Sequence, residues 1–198
     1  MNFLAPLHLA DISNTSLPGH LAAQFIKGDI DAQPKPYRQG MWLGQQIHQL
    51  SAEHELTQEL RAQFAKALGP ISTTLIALAF DHMLARCWEE YHSQPLAAFC
   101  PKAYQQLAAA TELPQPLPQL LPRMQRDNWL QALSSRNGLN AMLQQAARLS
   151  TTPQLFKGTD KVLQQLDREI EISFRTLYPQ LMAYSRILAR KTPEPYLP

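Results

Sequence analysis

Glycine and cysteine are both sparse in this chain, and each scarcity narrows what it can be. There are seven glycines in 198 residues, and Leu, Ala and Gln dominate. Runs of alternating β-branched residues are absent, which argues against sheets and for an all-α fold. The two cysteines, Cys87 and Cys100, belong to no Cys-x-x-Cys pair and no Cys/His cluster, which argues against a zinc site. Two buried thiols in a cytosolic protein are the expectation. Excess charge is lacking too. Eighteen basic residues face sixteen acidic ones, a formal net charge of +2. That is too weak for non-specific nucleic-acid binding, although a local basic patch could still face an acidic protein. The longest apolar run, Leu75 to Phe80, is far too short to cross a bilayer. Met1 to Ala10 is apolar but has no basic n-region and no long h-region, so no signal peptide is expected. A cytoplasmic protein with neither membrane nor nucleic acid as partner follows.

What is present is a helical chain punctuated by proline. Its length suits one domain, set at residues 1–191, with a flexible proline-rich tail over 192–198. A first helix is expected over Leu17–Lys27, capped by Ser16 and ended by Gly28. A second runs over Tyr37–Leu50. Ser51 is expected to cap a third, Glu53–Leu68, closed by Gly69-Pro70. Ser72–His92 reads as a long fourth helix, and its all-round apolar stretch from Leu75 to Phe80 makes it the central one. A fifth spans Pro95–Ala110. Leu113–Pro122 holds four prolines in ten residues and reads as an extended crossing. Gln125–Leu133 and Gly138–Leu149 are shorter helices. In Thr159–Leu177, Val162, Leu163, Leu166, Ile170, Phe174 and Leu177 keep helical spacing. Pro179 is expected to interrupt that helix before it continues to Arg190.

Several blocks of residues carry a resemblance. Met1-Asn2-Phe3-Leu4-Ala5 is followed by Leu7-His8-Leu9-Ala10. Further blocks are Ser16-Leu17, Gly19, Leu21-Ala22, Phe25, Gly28, Gly40-Met41 and Ile47. Phe80-Asp81-His82-Met83-Leu84-Ala85-Arg86 with Trp88, and Phe174 with Tyr178-Pro179-Gln180-Leu181-Met182, complete the set. Together they resemble the acyl carrier protein phosphodiesterases over nearly the whole chain. The resemblance implies a single-domain helical bundle related to the HD-type phosphohydrolases. It also implies an activity: cleavage of the phosphodiester that joins 4'-phosphopantetheine to a serine of acyl carrier protein, with a divalent metal, typically manganese. A metal held by carboxylates and imidazoles lowers the pKa of bound water and offsets charge on the phosphoryl oxygens.

The chain departs from that pattern where the metal chemistry lies. The family's His after the opening is Pro6 here, and the Asp before the matched phenylalanine is Gln24. The family's His-Arg-x-Ile-Asp is Gly44-Gln45-Gln46-Ile47-His48. The Asp four residues later is Ala52, and the carboxylate one turn before Asp-His is Ala77. His8, Asp81 and His82 keep the family's identity. On this resemblance the catalytic candidates are His48, Asp81 and His82. His8 and Asp81 would hold manganese or another divalent cation if any is retained; otherwise no cofactor is expected. His20, Gln24 and Lys27 share one face of the first helix and, with Arg38, are candidates for contact with substrate or partner. Lys35, Arg186, Arg190 and Lys191 add positive charge for an acidic carrier protein. Gln24, Gly44, His48, Ala77 and Asp81 are expected to converge on one cavity. Plainer roles are also open. A lone Asp in an apolar helix is commonly hydrogen-bonded to a neighbour, His54 and His92 read as solvated surface, and Trp42, Trp88 and Trp129 read as core.

The expectation is an acyl carrier protein phosphodiesterase-like protein that binds or acts on holo carrier protein with catalysis silent or impaired. Two alternatives stand beside it: an active enzyme with a rebuilt metal site, and a non-catalytic partner subunit in fatty acid or polyketide biosynthesis.

Overall fold

Proline and side-chain caps set many of the helix boundaries. A computed structural model describes residues 3–26, 28–64 and 66–197. In chain order the helices are α1 Leu4–Ile12, α2 Leu17–Ala22, α3 Lys35–Glu53, α4 Glu55–Gln63, α5 Ser72–Arg86 and α6 Trp88–Tyr91, followed by α7 Leu96–Ala109, α8 Leu117–Arg126, α9 Trp129–Ala132, α10 Arg136–Leu149, α11 Thr159–Gln165 and α12 Asp167–Arg190. Short 3-10 turns connect some of them, and no strand occurs among the described residues. The all-α expectation holds.

Ser16 caps α2 as expected, its Oγ accepting from the Gly19 amide at 3.1 Å. That helix stops at Ala22, and the expected end, Lys27, lies outside the described residues. Other boundaries need correction. α3 runs through Ser51, so the cap of α4 falls to His54, whose Nδ1 accepts from the Leu56 amide. The long fourth helix breaks at Cys87. The proline-rich crossing is in part a helix, α8. Pro118 sits in its first turn, where a missing N–H costs nothing, and Leu117, Leu120 and Met124 bury one face around Pro122. Pro179 does not break α12; the break falls at Leu166 instead. At the C-terminus, where the sequence suggests a loose tail, Tyr196 stacks on Trp42 and the Gln39 amide donates to Thr192 Oγ1 at 3.1 Å.

α1 precedes the first helix expected from sequence. Leu4, Ala5, Leu7, His8, Leu9 and Ala10 are all buried, so it shows no amphipathic stripe by which to recognise it. It has no acidic residue in its first turn and no cap of its own. Asp81, wholly buried on α5, supplies one. Its Oδ2 accepts from the Phe3 and Leu4 amides at 2.6 and 3.0 Å, and its Oδ1 from Ala5 at 2.8 Å. These are the unpaired donors at the positive end of a helix, where a carboxylate is favoured.

α5 is the central element. Leu75, Ile76 and Leu78 to Ala85 are buried, and the helix packs against α1, α4, α10 and α12. α2 and α3 cross at contact distance through glycine. A Cβ on Gly40 would lie 2.6 Å from the Ser16 carbonyl oxygen and 3.2 Å from Gly19 Cα. A Cβ on Gly44 would lie 2.7 Å from that of Ala23.

Two substitutions test this frame. Gly40→Ala forces backbone against backbone and is expected to cost about 1–3 kcal/mol; an unchanged melting temperature would contradict the close crossing. Asp81→Ala strands three amide donors and is expected to cost about 3–5 kcal/mol in metal-free buffer, with Asp81→Asn less severe. If Asp81 mattered only to metal binding, the metal-free Asp81→Ala protein would unfold at the wild-type urea midpoint.

Candidate functional site

A cavity lies where α1, α2, α3, α4, α5 and α12 meet. It comprises about 890 Å³ counted out to its open mouth. α1 gives Ala5, Pro6 and Leu9, and α5 gives Thr73, Ile76, Ala77 and Phe80. Tyr178 and Leu181 close it from α12. The polar wall comes from His20 on α2, Gln24 just beyond it, His48 and Ser51 on α3, and Thr57 and Arg61 on α4. Gly44, Ile47 and Ala52 complete it.

Four of the five residues expected to converge, Gln24, Gly44, His48 and Ala77, line this cavity; Asp81 does not. Asp81 sits beneath the wall on its three amide donors. Burial pushes its carboxyl up to about 6, while the hydrogen bonds from Phe3, Ala5 and Leu4 pull it down. His8 lies in the core, away from the lining. Its Nε2 is 3.1 Å from the Tyr91 carbonyl, so that nitrogen donates and Nδ1 accepts from the Tyr178 hydroxyl at 2.8 Å. Burial lowers its pKa to about 4. His82 is also outside the lining, its Nδ1 donating to the Leu133 carbonyl, and burial lowers its pKa. Arg38 donates from Nε to the Gln33 carbonyl at 2.8 Å and does not reach the cavity. Lys27 lies outside the described residues.

His92, read from sequence as solvated, is partly buried instead. It stacks on Trp88 and pairs with Asp11 at 3.1 Å. Trp88 and Trp129 are core, as expected.

His20 is the most enclosed polar group of the wall, 1% exposed. It is hydrogen-bonded to the backbone of Pro6, which offers only a carbonyl, and its Nε2 has no partner. Nδ1 therefore carries the proton and Nε2 is an unmet acceptor. Burial holds its pKa down at about 3, so the ring is neutral at pH 7. His48 is an exposed residue, and partial desolvation lowers its pKa too. Among the described residues the wall contains no Asp or Glu. Its one fixed charge among them is the Arg61 guanidinium, and no ion pair among the described residues involves it. Arg61, Thr57 and Thr73 belong to no motif in the sequence. The available signal was the i, i+4 spacing of Thr57 and Arg61, which puts both on one face of α4 beside buried Leu60.

This donor set does not suit manganese, which prefers hard anionic oxygen with some imidazole. The wall offers two imidazoles, an amide and hydroxyls, next to a guanidinium that repels a cation. No group of three or more His, Cys, Asp and Glu side chains able to hold a metal occurs among the described residues.

Known proteins give a consistent match. The family model described as acyl carrier protein phosphodiesterase matches residues 1–181. Similar curated proteins include the acyl carrier protein phosphodiesterase of Salmonella agona, 28% identical over 192 residues, covering 92% of this chain and 96% of that protein. The protein of the same name from Serratia proteamaculans is 28% identical over 199 residues, covering 94% and 98%. No solved structure gives a significant match.

The depressed pKa of His20 has a testable consequence. The unfolded chain binds a proton on this imidazole below about pH 6.5, whereas the folded protein resists it down to about 3. The stability linked to His20 is therefore full above pH 6.5 and is lost as the pH falls through that window. His8 acts in the same direction, and Asp81, with its raised pKa, in the opposite one. Comparing urea midpoints of wild type and His20→Gln from pH 7 to pH 4 isolates the term. The variant should show a shallower loss toward acid, by about one proton; parallel curves would contradict the buried neutral ring.

Proposed function

The chain belongs to the acyl carrier protein phosphodiesterase family, and we propose that within it this protein binds holo carrier protein through the phosphopantetheine arm without hydrolysing the phosphodiester. The observation that carries this reading is the absence of any carboxylate among the described residues of the cavity wall. Cleaving a phosphodiester needs an activated water and compensation of phosphoryl charge, and the family's metal supplies both. Gln24, Gly44, His48, Ala52 and Ala77 stand where the family resemblance expects ligands, and all five line this cavity. His48 could accept a proton as a base and Arg61 could offset phosphoryl charge, yet neither lowers the pKa of a bound water as the family's metal does.

The fold proposed with this function is a relative of the HD-type phosphohydrolases, in a soluble cytoplasmic setting. The segment Leu68–Arg86 is apolar enough to pass as a membrane span on length and composition, but 67% of its most apolar window is buried in the protein, as suits a core helix. Carrier proteins are acidic, so Lys35, Arg38, Arg186, Arg190 and Lys191 are the proposed docking charges. His8, Asp81 and His82 are read here as supports of the frame, consistent with their hydrogen bonds inside the protein.

The test is a mass-shift assay on holo carrier protein with manganese supplied, beside a calorimetric titration of the same pair. Binding with no apo carrier protein formed is the expected result. Gln24→Asp or His48→Asp alone should not restore activity, since ligands act as a set. Gly44→His should fail as well, because a side chain there meets Ala23. Multiple turnovers that vanish with chelator would sink the silent reading and establish a rebuilt metal site.

A further inference from the structure

Three residues of the cavity wall each carry a buried polar atom with no hydrogen-bond partner in the protein: His20 Nε2, Thr57 Oγ1 and Arg61 Nε. Seven such atoms occur among the described residues, so nearly half belong to this one wall. An orphaned buried donor or acceptor is costly, and a cluster of them around a cavity marks a place where another molecule supplies the partners.

Their chemistry is specific. Thr57 is 5% exposed and stands one turn before Arg61 on α4. Arg61 Nη2 donates to Thr73 Oγ1 at 3.3 Å, which ties the guanidinium to the start of α5. One cation and two hydroxyls therefore line the α4–α5 side of a cavity whose described residues carry no negative charge. A guanidinium flanked by hydroxyls matches the oxygens of a phosphate group, through charge-assisted hydrogen bonds. Across an otherwise apolar wall of Leu9, Ile76 and Phe80, His20 offers the acceptor Nε2, which calls for a ligand that also bears an N–H or O–H.

We propose that Arg61, Thr57 and Thr73 form a metal-independent phosphate site, and that the cavity takes a phosphate ester with an amide- or hydroxyl-bearing tail whose donor meets His20. The inference rests on the reading that this cavity receives the arm of a carrier protein. It goes further in replacing the metal with a guanidinium and so inverting the sign of the site.

The experiment is calorimetric titration in chelator with 4'-phosphopantetheine, with pantetheine and with inorganic phosphate. Phosphopantetheine is expected to bind about tenfold or more tightly than pantetheine, with inorganic phosphate weaker than phosphopantetheine but detectable. Arg61→Ala should abolish the preference for the phosphate-bearing ligand, and Arg61→Lys should restore part of it. Thr57→Val gives a readout that a structural role would not: removing an unpaired buried hydroxyl should leave the melting temperature unchanged or higher while affinity falls about threefold or more. Equal binding of pantetheine and phosphopantetheine, no binding of either, or binding that appears only with manganese would each overturn the site. The source of the phosphate is resolved by competition. Displacement of phosphopantetheine by holo but not apo carrier protein supports both this site and the carrier-protein reading. Arg61-dependent binding of the free ester with no competition by holo carrier protein keeps the site and defeats that reading.

Discussion

One buried carboxylate holds the frame of the cavity together. α1 begins with an apolar turn that cannot cap itself, and α5 is so thoroughly buried that a charge on it needs partners inside the protein. Asp81 meets both needs at once. It places a negative charge against three unpaired amides at the positive end of α1, and those amides satisfy the carboxylate oxygens. Burial opposes the anion, and the three donors make it tolerable. The join also fixes geometry. Ala5, Pro6 and Leu9 from α1 and Ile76, Ala77 and Phe80 from α5 are all wall residues, so one hydrogen-bonded carboxylate sets the relation between two sides of the cavity.

The opposite side is set by the absence of side chains. Gly19 and Gly40 let α2 and α3 meet backbone to backbone, and this contact carries His20 into the wall. Gly44 continues the same seam next to Ala23 and the His20 carbonyl. A small residue at that position thus has a packing reason independent of chemistry. Once α2 has settled against Gly44, a bulky ligand there would have to push the helices apart. The described residues of the cavity then supply neutral imidazoles, hydroxyls and one guanidinium, a set suited to an anion and unsuited to a divalent cation.

The sequence revealed the frame better than the boundaries, and the wall better than its charge. The central helix was legible because Leu75 to Phe80 is apolar on every side. α1 was hidden for a related reason, since a helix buried all round has no polar face to give it a period. Pro118 and Pro122 suggested extended chain, yet Leu117, Leu120 and Met124 bury enough apolar surface to hold a helix through them. Pro179 likewise failed to interrupt α12, where Phe174, Leu177, Tyr178 and Leu181 are buried on both sides of it. Family spacing located Gln24, Gly44, His48 and Ala77 on a common cavity. It could not show that Asp81 turns toward backbone amides, because a carboxylate is written the same way whether it faces a metal or a helix end. Arg61 escaped notice because only the fold brings the last turn of α4 to the cavity.

Frame and wall rest on different kinds of residue, and this separation explains how one can persist while the other changes. Asp81, His8 and His82, positions that carry the family resemblance in the sequence, are each hydrogen-bonded inside the protein: to the amides of α1, to Tyr178 and Tyr91, and to the Leu133 carbonyl. Substituting any of them would leave buried polar partners unmet. Gln24, His48, Ala52 and Ala77 instead face a cavity, where exchanging a carboxylate for a neutral or small side chain strands nothing in the core. Removing several anions from one cavity even lowers their mutual repulsion when no cation is present to bind them. The frame is therefore held by the cost of unmet hydrogen bonds, whereas the wall is held only by the ligand it serves. Thr57 and Arg61 keep buried atoms on that wall with no partner in the protein, a cost that the proposed phosphate ligand would offset.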